Sequence, residues 1–336
     1  MKYFLLMMLL VLNLSCGGNS TSSSGVSYSG PGSNYSLTVN EVGGSFSLTE
    51  SDAGWTVTGE FEELNSGFGK LTTTTQTVIA GSPPAVNSVH YVFLVPGLTA
   101  MLQLSGSTQL TPTIIAGSCP TDNFEGNWLF LNVDAAYDIT TQDTFGTFSS
   151  NYATGAASLP TKYMVDGTVF GSASSLGIFT CSNGVGTVDT ARMYMTDGGA
   201  IVNTDVNTAA NSQFIVALEK KAISNITGLD GSYIGFVNTA SGTALYSVTA
   251  TVTAGVIAIT SINPETEAAD GNISTSMTMA NINTPSDGFM TGTFGSSAAA
   301  CMGVQGINSS TKNFIMCGAP DPGTATAIYN VVLISR

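Results

Sequence analysis

Apolar and polar residues alternate in short runs along most of this chain. Tyr35-Ser-Leu-Thr-Val39, Ser45-Phe-Ser-Leu-Thr49 and Trp55-Thr-Val-Thr58 show the pattern, as do Leu71 to Ile79 and His90 to Val95. Gly, Pro, Asn and Asp separate the runs. Period-two segments of this length predict β-strands joined by turns. Helical spacing is scarce. Its best stretch, Glu265 to Asp270, is about one turn long. The expected fold is all-β.

The pattern also repeats on a larger scale. Phe124-Glu-Gly-Asn-Trp128-Leu-Phe-Leu131 matches Leu229-Asp-Gly-Ser-Tyr233-Ile-Gly-Phe236 in residue character. Further on, Cys181 matches Cys301, and Tyr194-Met-Thr-Asp-Gly198 matches Phe314-Ile-Met-Cys-Gly318. Phe214-Ile-Val-Ala-Leu218 matches Tyr329-Asn-Val-Val-Leu333 and closes the unit. Ordered matches at opening, middle and end point to duplication. The units are residues 119–222 and 223–336. Residues 34–118 form an N-terminal β domain that is a weaker relative, carrying only the echo Phe93-Leu-Val-Pro-Gly97.

Each unit has room for six to eight short strands. That suffices for a small closed antiparallel barrel, which leaves no exposed edge. The alternative is a β-sandwich. Gly126-x-Trp128 and Gly231-x-Tyr233 resemble the opening of lipocalin-like (calycin) barrels, with Tyr in the second copy where Trp is usual. The resemblance implies a carrier with an apolar lumen. Trp128, Phe130, Phe170, Phe179 and Phe214 would line it in the first unit, and Tyr233, Phe236, Tyr246, Phe294 and Tyr329 in the second. The same residues would otherwise fill a solid core.

Composition narrows the class. Charged residues are 9% of the chain, and Thr, Ser, Asn and Gly supply the polar surface. Apolar residues stand at 43%, too many for a disordered chain. The formal net charge is −14, and Lys220-Lys221 is the one adjacent basic pair. A nucleic-acid partner is excluded, because no basic cluster could displace counterions from phosphates.

Lys2 and the apolar run Phe4 to Leu12 are too short to span a bilayer, which takes about 20 apolar residues. They fit a secretory leader, residues 1–15. Ser15, Cys16 and Gly17-Gly18 follow it, an arrangement that resembles a bacterial lipoprotein signal. The resemblance implies that Cys16 is acylated and anchors the protein in the cell envelope, at the outer membrane. With Asn13 where such signals carry Leu, the alternative is an ordinary secretory leader. Residues 16–33 are Gly- and Ser-rich and read as a flexible tether with a reach of roughly 20–25 Å.

Five Cys are present. Assigning Cys16 to lipid leaves an even set for an oxidising compartment. Cys301 and Cys317 flank the turn-like Asn308-Ser-Ser310, so strands folding back there bring them opposite each other. By elimination Cys119 pairs with Cys181.

Catalytic patterns are sparse. His90, the single His, sits in an apolar strand and reads as a strand-edge residue. No G-x-S-x-G elbow occurs. Gly184-Val-Gly186 has no helix after it. Asp134, Asp138 and Asp143, and Asp197 and Asp205 with Asn203 and Asn207, could offer oxygens to Ca²⁺, but their spacing fits no EF-hand. Asp and Asn also favour turns for their own geometry. No cofactor or metal is expected. The leading expectation is a non-enzymatic surface lipoprotein of structural or adhesive role, meeting the membrane through its lipid and a surface partner protein. The alternatives are a carrier of a small apolar ligand and, behind it, a glycan-acting hydrolase using a carboxylate pair.

Overall fold

The computed structural model describes residues 26–28, 35–107, 110–114, 124–131, 144–151, 154, 156–164, 174–178, 185–188, 191–196, 199–203, 214–219, 226–239, 244–284, 289–307, 310–321 and 324–336. The fold is all-β, and its strands form three antiparallel sheets in tandem.

The first sheet is a simple meander. It comprises β1 (Val26–Tyr28), β2 (Tyr35–Asn40), β3 (Ser45–Glu50), β4 (Trp55–Glu63), β5 (Gly69–Val78), β6 (Val89–Val95), β7 (Thr99–Gln103) and β8 (Leu110–Ile114), each paired with the next. The sheet curls until β2 meets β8. Its concave face holds a core that includes Leu37, Leu48, Trp55, Val57 and Leu71. These are the apolar members of the alternating runs, and Thr and Ser take the opposite face. β1 falls inside the segment expected to be tether. Val26 pairs with Val39, and Tyr28 is buried in this core, so its ring draws the chain into the sheet.

The second sheet holds β9 (Phe124–Leu131), β10 (Thr144–Asn151), β11 (Ala156–Met164), β12 (Ser174–Ile178), β13 (Val185–Val188), β14 (Ala191–Thr196), β15 (Gly199–Asn203) and β16 (Phe214–Glu219). β9 pairs with both β10 and β16, which makes β12 and β13 the two ends of the sheet order. Those ends approach each other across an unpaired seam. Gly126 is required where it stands, because a Cβ there would collide with the Leu218 carbonyl across the β9–β16 ladder.

The third sheet closes completely. It runs from β17 (Gly231–Thr239) through β18 (Ala244–Thr253), β19 (Val256–Ile262), β20 (Ala269–Thr284), β21 (Phe289–Phe294), β22 (Ser297–Val304) and β23 (Phe314–Asp321) to β24 (Thr324–Ser335), which pairs back onto β17. Closure removes the exposed edges. The Glu265–Asp270 stretch is no helix. It is the turn between β19 and β20, and Ala269 and Asp270 already belong to β20. The Asn263 carboxamide accepts from the Glu265 amide at 2.9 Å, and the Glu267 amide donates to the Asn263 carbonyl at 2.9 Å. A segment this short cannot meet the cost of helix nucleation against such local bonds.

Along β17 and β22–β24 both faces of the barrel wall are apolar. Tyr233, Val237, Val248, Ile259, Met277 and Leu333 point inward. Ile234, Phe236, Met302, Phe314, Met316 and Val332 point outward, and there they join Phe68 and Phe93 of the first sheet and Phe145 and Tyr194 of the second in one buried cluster. This cluster is the junction that fastens the three sheets together.

Candidate functional site

A ligand carried by such a barrel would sit in its lumen. Buried side chains of all its described strands project into it. An eight-stranded barrel has an interior about as wide as the side chains it must hold. Tyr233 is fully buried there and donates its hydroxyl to the Leu229 carbonyl at 2.6 Å. Burial raises its pKa above the ordinary value. Phe294 joins the same packing, with Tyr246 partly buried against it. Cys301 and Cys317 are bonded across the β22–β23 ladder and face the lumen too.

Phe236 corrects the expected lining. It stands three positions after Tyr233, and an odd step on a strand reverses the face. Phe236 therefore points out of the barrel, 5.4 Å from the Phe68 ring and 5.2 Å from that of Phe93, centroid to centroid. Trp128, Phe130, Phe214 and Tyr329 stand on β9, β16 and β24, with side chains outside the description. Phe170, Phe179, Cys16, Cys119 and Cys181 lie outside the described residues. So do Gly184, Asp134, Asp138, Asp143, Asp197, Asp205 and Asn207. Asn203 is the last residue of β15, opposite Phe214.

His90 lies on β6, opposite Leu71 of β5, and is fully buried. The Ser105 amide donates to Nδ1 at 2.9 Å. The ring proton of the neutral form therefore belongs on Nε2, which faces Thr73 Oγ1 at 3.1 Å and Ser88 Oγ at 3.4 Å. These partners are a backbone amide and two hydroxyls. A nucleophile–His–carboxylate relay would need the amide's position for an acid. Burial holds the pKa down at about 4. His90 is thus a structural core group, not the strand-edge residue expected.

A cleft of about 600 Å³ opens between the first sheet and the closed barrel. One wall comes from the turns after β2 and β4, with Glu41, Leu64 and Ser66, and from Phe61, Glu63 and Leu94 on β4 and β6. The other comes from β17, the end of β24 and the turn after β22, with Ile234, Ile334, Arg336 and Lys312. Arg336 is engaged with Glu267 at 2.8 Å. Among the described residues Glu41, Glu63 and Lys312 make no ion pair. Ser66 is fully buried, and its hydroxyl has no hydrogen-bond partner among them. Sequence reasoning passed over these residues. Lys312 offered the one signal, as an isolated cation in a chain with eight basic residues.

Polar bonds cross the same junction. Lys70 Nζ lies 2.8 Å from Glu265, whose other oxygen accepts from the Tyr91 hydroxyl at 3.0 Å. These two bonds, Lys70's first, lower the Glu265 pKa, and burial with Glu265 alongside pushes Tyr91 up to about 12. Gln103 donates to the Leu245 carbonyl at 2.8 Å and accepts from the Ser247 hydroxyl at 2.8 Å. Among the described residues no three His, Cys, Asp or Glu side chains converge as a metal site, and no helix is long and apolar enough to cross a membrane. The chain matches no protein-family model and no curated protein sequence.

Proposed function

We propose that this chain is a non-enzymatic lipoprotein of the bacterial cell envelope, held at the outer membrane through acylated Cys16 and serving a structural or adhesive role. The observation that supports it best is the apolar cluster shared by all three sheets, joining Phe93, Tyr194 and Phe236 in one buried unit. Such a junction makes a stiff body out of three small sheets, suited to display on a tether. Thr- and Ser-rich outer faces suit contact with water and with a surface partner. The carrier alternative requires space in the lumen, into which Tyr233, Met277, Phe294 and the disulfide of the closed barrel project.

The test is fractionation of cells making the Cys16→Ser variant. It is expected to leave the membrane pellet for the soluble fraction, and continued pelleting would overturn the anchor. An apolar molecule of a few hundred daltons that co-purifies with the protein would favour the carrier instead.

A further inference from the structure

The cleft between the first sheet and the barrel carries an inference beyond the envelope role. We propose that it binds a small zwitterionic ligand with an apolar body, of the class of short peptides with free termini and aliphatic side chains. Its volume, about 600 Å³, falls in the range of small-molecule sites, and such sites favour junctions between folded units. Phe61, Leu64 and Leu94 are half-buried along it and give an aliphatic chain a surface that water still reaches.

The charges select the head groups. Glu41 and Glu63 stand on the wall of the first sheet, and Lys312 stands on the barrel's wall. None of the three has an ionic partner among the described residues. The chain carries 8 basic and 22 acidic residues, so an unspent cation facing two unspent carboxylates is not the average surface. A simple anion would meet Glu41 and Glu63, and a simple cation would meet Lys312. A dipolar ligand satisfies both walls, its carboxylate toward Lys312 and its ammonium toward Glu63 and Glu41. Ser66 adds a second, independent pointer. Ser66 borders the same cleft, and its hydroxyl, buried just beneath the surface, has no hydrogen-bond partner among the described residues, a costly arrangement that a small shift toward a bound peptide amide would relieve.

The experiment is equilibrium dialysis of the purified full chain against trileucine. Saturable binding is expected, weakening as salt is added. Lys312→Ala and Glu63→Ala each weaken it about threefold, the size of an exposed ion pair. N-acetyl-trileucine amide, which lacks both charges, binds about tenfold more weakly by the product of the two. Lauric acid does not displace trileucine. Glu63 is the exposed last residue of β4 and Lys312 lies in the turn after β22, both outside the core, and an unchanged circular dichroism spectrum verifies the fold. Absence of saturable binding, equal binding of the capped peptide, or displacement by lauric acid overturns the proposal.

Discussion

His90 is where the pH of the surroundings acts on this fold. Its Nδ1 already accepts the Ser105 amide, so a proton added there would set one N–H against another. Burial holds the pKa at about 4, against an ordinary 6.5. Above about pH 6.5 the folded and unfolded states are both neutral at this residue, and its contribution is complete. Between about 6.5 and 4 the unfolded chain takes a proton that the folded one refuses, so stability falls with pH. At about 1.4 kcal/mol per pH unit the full loss is about 3 kcal/mol. Urea unfolding at pH 7 and pH 4.5 measures it. In His90→Gln the loss over that interval shrinks, while stability at pH 7 drops by about 1–3 kcal/mol for the disturbed hydrogen bonds. The same pH dependence in both proteins would remove His90 as the cause. That His90 is buried could be suspected from its apolar neighbours Val89, Tyr91 and Val92. Its partners could not, because Thr73 and Ser105 are 17 and 15 residues away in sequence.

At the scale of strands, the β22–β23 hairpin is the part most legible beforehand. Turn-type residues at 308–310 with a Cys on either side mark the hairpin in the sequence, and Cys301 stands directly opposite Cys317. A bridge across 16 residues stabilises by about 3 kcal/mol through the unfolded chain's lost freedom. The double variant Cys301→Ala, Cys317→Ala should lose about that much in thermal unfolding and stop responding to dithiothreitol. An unchanged midpoint would show that the hairpin is held by its ladder and packing alone. Strand content was equally legible, because alternation and Thr-rich faces are local signals. The inward or outward sense of β17 was not. Tyr233, Ile234, Phe236 and Val237 are all apolar, so no polar face marks the outside and period two fixes only relative orientation. Phe236 was misassigned for that reason. Glu265 to Asp270 failed differently, since the hydrogen bonds of Asn263 decide that turn and helical spacing says nothing of them.

Across the whole molecule, the three sheets depend on a surface that no single one of them explains. A closed barrel needs an apolar lumen and is content with a polar exterior. Here the exterior carries Ile234, Phe236, Met302, Phe314 and Val332, and they are buried only because the other two sheets cover them. Alternation reveals such residues as apolar but not what they touch, which is why the junction and the cleft at its margin were invisible in the sequence. Phe236 tests the junction because its ring packs against both Phe68 and Phe93. Truncating a buried Phe costs about 3–5 kcal/mol. Phe236→Ala removes it from the contact between sheets and leaves the barrel's own lumen untouched, so calorimetry should resolve one cooperative transition into two. The exposed Lys70–Glu265 pair crosses the same junction, yet such pairs contribute under about 1 kcal/mol. Lys70→Ala should therefore keep a single transition. If both variants unfold alike, the sheets are coupled by polar contacts and chain connectivity, and the apolar exterior of the barrel must serve some other contact.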